Sequence, residues 1–218
     1  MVVAVILFRI YDSFPEMLSA FHRAMNHIHP SANAINLNWA MTHYLQFIDP
    51  EKFGILQPNG MVDPHKFLWL KKINLSLLCI PYSLCCLLNV LKPTYENFLK
   101  TLIIASLSYI LLGYGAHENH SFAAVVVACI CALISPTLSP SSQASSFKFL
   151  ALASIHAFIN LFIFYVPTGD KLKNSLQFDA PSILALTFCG IYIYLTYVEI
   201  KRNNPVLFLK MKLQQLQK

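Results

Sequence analysis

The stretch Tyr114-Gly-Ala-His-Glu-Asn-His-Ser-Phe122 decides how the rest of the chain is interpreted, because it sets His117, Glu118 and His120 between two apolar runs. Ionisable side chains are costly near a bilayer, so a cluster of them there needs a physical reason. Two reasons are open at this point. The stretch is either a short polar turn at a membrane surface or a site that binds an anionic or sugar-bearing ligand.

The two apolar runs belong to a series that predicts membrane-spanning helices. The 218 residues are 56% hydrophobic and only 12% charged, which is unlike the balance of a soluble domain. Five segments are apolar on all sides: about Ile73 to Leu91, Leu102 to Tyr114, Phe122 to Ile134, Phe149 to Val166 and Ile183 to Ile200. We therefore predict an all-α fold, a polytopic membrane helix bundle with about five transmembrane helices in residues 73–200.

Residues 1–72 form a separate region in this interpretation. Met1 to Phe8 is apolar, too short to span and not preceded by a basic residue, so it is typical of the end of a helix and not of a secretory signal. We expect the chain to be the C-terminal part of a longer protein. Tyr11 to Pro30 has apolar residues at intervals of three and four, which favours an interfacial helix, with a soluble amphipathic helix as the alternative. Asp49 to Lys66 reads as a loop.

The distribution of basic residues predicts the orientation. Residues 201–218 form a tail that carries Lys and Arg but no Asp or Glu, so we expect a cytoplasmic C-terminus. The loop with His117 to His120 and the stretch before Lys72 then lie on the extracytoplasmic side of a multi-pass protein of the bacterial inner membrane or endoplasmic reticulum. The basic residues flank apolar runs, a placement that suits a membrane and not nucleic acid. Ser135 to Ser146 is predicted to be a cytoplasmic linker.

The sequence predicts neither a metal centre nor a cofactor. All six cysteines fall inside apolar runs, where they behave as small core residues. His117 and His120 are three residues apart, whereas zinc hydrolases of the usual pattern place two histidines four apart with a Glu beside the first. What remains is a polar cluster in which the two histidines donate to a phosphate and Glu118 accepts from sugar hydroxyls or orients a histidine. Such a cluster suits a lipid-phosphate ligand.

Two stretches carry a resemblance to a known family. Gly113-Tyr-Gly-Ala-His-Glu-Asn-His-Ser-Phe122 resembles the His-Glu signature of integral-membrane glycosyltransferases of the GT-C superfamily, the bacterial mannosyltransferase-like and dolichyl-phosphate-sugar-dependent enzymes among them. Ser31-Ala-Asn-Ala-Ile-Asn-Leu-Asn-Trp39 is similar to an upstream Asn-Ala-x-Asn stretch of the same bacterial proteins. The similarity covers roughly Arg9 to Val125.

The resemblance implies an enzyme that moves a sugar from a polyprenyl-phosphate donor on the extracytoplasmic side. It also implies two groups of site residues. The donor's phosphate or sugar would contact His117, Glu118 and His120, and the outer cavity that holds the donor would be lined by Asn33, Asn36 and Trp39. In the family an acidic residue after the first helix is taken as the catalytic base. The setting of Asp12 does not match that pattern, so no catalytic residue is assigned.

Two other function classes stay open. One is a non-catalytic membrane subunit or scaffold that works with a partner polypeptide. The other is a transporter, which would use the polar residues Asn74, His156 and Asn160 inside the apolar segments. For His156 a satisfied contact with a neighbouring helix is the alternative to a ligand role.

Overall fold

The structure is a computed structural model that describes residues 15–16, 19, 29–32, 34–55, 62–117, 120–134, 140–165 and 180–203. The predicted N-terminal partial helix, most of the predicted interfacial helix and residues 204–218 of the basic tail lie outside this described part. The elements in chain order are β1 (Ser31–Ala32), α1 (Leu37–Ile48), α2 (Pro50–Phe53), a 3-10 turn (Pro64–Phe67), α3 (Leu70–Leu91), α4 (Tyr95–Leu112), β2 (Ala116–His117), α5 (His120–Ile134), α6 (Pro140–Tyr165) and α7 (Ala180–Asn203).

Helix α4 forms the centre of the bundle. It contacts α3, α5, α6, α7 and α1, and its side chains Ile103, Ile104, Leu107, Ile110 and Leu111 are almost completely buried. Thr94 caps the helix by accepting a hydrogen bond from the Asn97 backbone nitrogen at 3.2 Å. The remaining face of α4, with Tyr95, Phe98 and Leu102, is exposed and also apolar, so the helix shows no polar face along the bundle.

The outer surface of the bundle is apolar. Large hydrophobic side chains are exposed along α3, α6 and α7, including Leu75, Ile80, Phe158, Ile193 and Tyr197. Three described helical segments are long and apolar enough to cross a membrane: Leu70–Leu91, Gln143–Tyr165 and Ala180–Arg202. The predicted all-α membrane helix bundle is thus confirmed.

All five predicted segments are helical, but some bounds differ from prediction. Helix α4 begins at Tyr95 instead of Leu102, and α6 begins at Pro140 instead of Phe149. The prediction of a linker was therefore wrong for residues 140–146, which form the first turns of α6. The prediction failed in both places because Lys100 and Ser145 are polar and were therefore placed outside the helices. In the structure both side chains bind Glu199 of α7.

The one pair of strands in the described residues joins distant parts of the chain. Strands β1 and β2 are parallel, with Ser31 opposite Ala116 and Ala32 opposite His117. The Gly115 backbone nitrogen donates to the Pro30 carbonyl oxygen at 3.0 Å, which extends the pairing by one hydrogen bond. Gly115 reaches this position with φ of 73°, in the left-handed region that residues with a Cβ rarely adopt.

Replacing Gly115 with Ala should lower stability because the added Cβ disfavours positive φ, at a cost of about 1–2 kcal/mol. The matched control is Gly190→Ala on α7, where an added Cβ meets nothing within 4 Å. That substitution should be neutral or stabilising by up to about 1 kcal/mol, since Ala favours a helix. Apparent unfolding temperatures of the detergent-purified variants test this, and equal temperatures for the two would contradict it.

Candidate ligand site at the strand pair

The strand pair brings together the two stretches that the sequence singled out. Ser31–Ala32 begins the stretch that ends at Trp39, and Ala116–His117 lies within Tyr114 to Phe122. Beyond β1, residues 34–36 follow an irregular course before α1 begins. Non-helical backbone is tolerated at membrane depth only where it is buried in protein or lines a cavity. The hydrogen bonds of this segment therefore decide how it is held.

Helix α6 satisfies both backbone groups of Ile35. The Ile35 nitrogen donates to Asn160 Oδ1 at 2.7 Å, and His156 Nε2 lies 2.8 Å from the Ile35 carbonyl oxygen. That carbonyl can only accept, so His156 carries a proton on Nε2. The other ring nitrogen, Nδ1, lies 3.2 Å from Ser121 Oγ on α5. His156 thus makes the satisfied contact that was one of its two predicted roles.

A second set of bonds fixes the start of α1. The Asn38 amide nitrogen donates to the Gly113 carbonyl oxygen at 2.8 Å, and Asn74 on α3 donates its amide to Asn38 Oδ1. Gly113 ends α4, and an added Cβ there would overlap the Tyr109 carbonyl oxygen. Asn74, His156 and Asn160, the polar residues within the apolar segments, therefore all bind the Ile35–Asn38 region or its neighbours.

The site lies well inside the ends of the long helices. His156 and Asn160 precede Tyr165, the last residue of α6, by nine and five residues, which is about 14 and about 8 Å along the helix axis. On α7, the Cys189 thiol lies 3.7 Å from the Leu111 carbonyl oxygen and is nine residues, or about 14 Å, from Ala180. Helix α4 and the strand pair consequently end near the middle of α6 and α7.

The structure describes three of the six predicted site residues in full. Asn36 is completely buried and caps α1, accepting from the Trp39 nitrogen through Oδ1 at 3.0 Å. Trp39 is also buried, with its ring edge-on to Phe164 at 5.1 Å between centroids. His120 begins α5 with its ring 5.1 Å from that of Tyr109. The backbone of His117 lies in β2, while its side chain, Glu118 and Asn33 lie outside the described residues.

The site offers hydrogen-bond donors to an anion. Asn36 Nδ2 is buried and has no partner in the described part of the chain. It stands at the N-terminus of α1, where free backbone N–H groups and the helix dipole favour negative charge.

A second buried polar cluster lies at the opposite end of the bundle. Lys100 on α4 forms ion pairs with Glu199 on α7 at 2.7 Å and with Glu96 at 2.9 Å. Glu199 also accepts from Ser145 of α6 at 2.7 Å and lies 3.4 Å from Arg202. Lys100 and Glu199 are 4% and 1% exposed, so the pair is taken out of solvent.

Sequence reasoning missed this charged cluster. It assigned Lys100 to a loop and ended the last apolar segment at Ile200, next to Glu199. The available signal was Glu199 inside the last apolar segment, since an ionisable residue there usually pairs with another ionisable residue in a bundle.

No family model, no curated protein and no solved structure matches this chain. Across the described residues, no group of three or more His, Cys, Asp or Glu side chains is arranged to hold a metal ion. The chemistry of the site must therefore be argued from its own donors and acceptors.

Asn160→Leu should destabilise the fold by about 1–3 kcal/mol, because it leaves the buried Ile35 N–H without its acceptor. Asn97→Leu is the matched control. Asn97 is also buried, but neither polar atom of its amide has a hydrogen-bond partner among the described residues, so its loss should cost little. Thermal unfolding in the same detergent compares the two, and an equal loss for both would contradict the assigned role of Asn160.

Glu199→Ala should destabilise the bundle by about 3–5 kcal/mol, since it leaves the buried Lys100 with only the partly exposed Glu96. The double variant Lys100→Met with Glu199→Leu should regain most of that loss, because the buried ammonium group that lost its buried partner is then removed as well. Glu51→Ala, at an exposed site on α2, is the control and should change stability by less than about 0.5 kcal/mol. An unfolding temperature for Glu199→Ala equal to that of the control would refute the argument.

Proposed function

We propose that this membrane protein is glycosyltransferase-like, and that it is an enzyme, or part of one, that transfers a sugar from a polyprenyl-phosphate donor. The observation that carries the proposal is the pairing of β1 with β2. It joins the Asn-rich stretch Ser31–Trp39 to the His-Glu stretch Tyr114–Phe122, the same two stretches that resemble GT-C enzymes. His117, Glu118, His120, Asn33, Asn36 and Trp39 are the proposed ligand-binding residues.

The chemistry of the strand pair supports a phosphate-bearing ligand. The N-terminus of α1 supplies donors, as does Asn36 Nδ2, which has no partner among the described residues, and His117 and His120 add two side chains that can donate or carry a positive charge. Glu118 suits sugar hydroxyls as an acceptor. A polyprenyl tail would lie in the surrounding lipid, against the apolar outer surface of the bundle.

The proposed orientation puts the strand pair towards the extracytoplasmic side and the C-terminus in the cytoplasm. Its support is the basic end of α7, Lys201 and Arg202, together with the acid-free tail that follows. The buried cluster of Lys100 and Glu199 then lies near the cytoplasmic end.

A non-catalytic membrane subunit is the second candidate. One observation favours it: His156, Asn160, Asn38 and Asn74 all bind groups of the protein itself and so act as structural links. In this case the polar residues would serve to hold residues 34–38 in the bundle, and a partner polypeptide would supply the chemistry.

A photoreactive polyprenyl phosphate tests the proposed site in membranes that contain the full chain. We expect the photoreactive compound to label this protein. Polyprenyl-phosphate hexose should suppress the labelling, whereas polyprenol, which lacks the phosphate, should not. His117→Ala and Glu118→Ala should each lower the labelling severalfold, because they remove a donor to the phosphate and an acceptor for the sugar. Sugar transfer from the same donor, measured for each variant in the context of the complete enzyme, should fall in parallel.

His65→Ala and Glu51→Ala are the matched controls, since both residues are exposed and lie outside the two stretches. Labelling that polyprenol suppresses equally would show a lipid surface without a phosphate site and would exclude the proposal. Specific labelling without any effect of His117→Ala or Glu118→Ala would exclude these residues from the site.

A further inference from the structure

Two faces of α1 have the reverse of the arrangement found in soluble proteins, whereas Trp39 and Ala40 at its start are buried apolar residues. Asn38, Thr42 and Gln46 recur every four residues along one face, and all three are buried. The side chains most exposed are Tyr44 at 63% and Phe47 at 68%, followed by Ile48. In water, such a helix would bury its polar side chains and expose its large apolar ones, which is unfavourable on both counts.

The spanning helix α3 shares two of these features, although its other buried residues are apolar and Lys71 and Lys72 at its start are exposed. Asn74 is completely buried on α3, whereas Leu75 and Ile80 are among its most exposed residues. A reversed pattern is expected where lipid surrounds the protein, since polar residues then face other helices and apolar residues face acyl chains. The shared pattern indicates that α1 and α3 have the same surroundings.

The start of α1 is consistent with that environment. The helix follows Ile35, whose backbone groups bind His156 and Asn160 of α6, about 8–14 Å inside the end of that helix. Helix α1 packs chiefly against α7, a membrane-spanning helix. The chain therefore reaches α1 from within the bundle and not from its surface.

We propose that residues 31–32 and 34–48 form an intramembrane segment, in which α1 is a half-helix whose outer face contacts the acyl chains of the bilayer. The polar face of Asn38, Thr42 and Gln46 turns towards the bundle. The irregular residues 34–36 and the strand β1 supply the break that lets a short helix start at this depth. Lipid acyl chains contact the face formed by Tyr44, Phe47 and Ile48. This inference does not depend on which ligand the strand pair binds.

Benzoylphenylalanine, a photoreactive amino acid, tests the proposal when it replaces Tyr44 or Phe47 in the full chain. These are exposed aromatic positions, so the substitution is compatible with folding. The variants are reconstituted in phosphatidylcholine and phosphatidylglycerol vesicles, irradiated and analysed by mass spectrometry. We expect lipid adducts at both positions, with a yield similar to that from the lipid-facing control Leu75 and severalfold above that from Glu51 on α2.

Three results would overturn the proposal. Adducts to a second copy of the chain would show a self-association surface, and adducts to residues elsewhere in the same chain would show that another segment covers α1. A yield no higher than that from Glu51 would show that the face meets water. As an independent check, Phe47→Lys should reduce the folded fraction in membranes severalfold while Phe47→Leu leaves it unchanged. A neutral Phe47→Lys would also refute lipid contact.

Discussion

The peptide groups of Ile35 must be hydrogen-bonded inside an apolar bundle, and much of the observed arrangement follows from this requirement. An unsatisfied backbone group costs several kcal/mol in hydrocarbon, so a break between elements at this depth needs polar partners supplied by side chains. Asn160 and His156 are those partners, and they stand one turn apart on α6. Ser121 in turn contacts the second nitrogen of His156, which ties α5 to the same point.

The bundle has two polar levels separated by an apolar layer. One level contains His156 and the strand pair, and the other contains the Lys100–Glu199 ion pair. Ser145, which binds Glu199, and His156 are eleven residues apart on α6, or about 17 Å along the helix axis. Between them lie mainly aliphatic side chains of α4, together with the hydroxyl groups of Ser108 and Tyr192, which lie 2.5 Å apart. The hydrogen bonds of Ile35 and His156 at the first level join backbone, amide, imidazole and hydroxyl groups, while the second level holds ion pairs of Lys100 and Arg202 with Glu96 and Glu199.

The sequence was sufficient to predict the helices and to associate the two unusual stretches, but not to describe how they meet. Uniformly apolar runs identify helices in lipid, because no other element satisfies its backbone there. Two-residue strands have no periodicity to detect, so the pairing of Ala32 with His117 could not be read from a pattern. Asn36 and Trp39, which were predicted to line a cavity, are buried at the start of α1, and their role in ligand binding stays a prediction. The position of Lys100 was misjudged because its partner lies on the last helix, far away in sequence.

The contacts of Ile35 also constrain how the protein can be made. The atoms that bind its N–H and C=O groups lie 125 and 121 residues further along the chain. A ribosome must therefore synthesise α3, α4, α5 and most of α6 before this peptide segment can reach its final state. Until then the polar backbone of the segment around Ile35 requires water or shielding by the insertion machinery. Helix α1 is therefore among the last parts to reach its final position. The residues around Ile35 are thus synthesised before most of the bundle but reach their final positions after it.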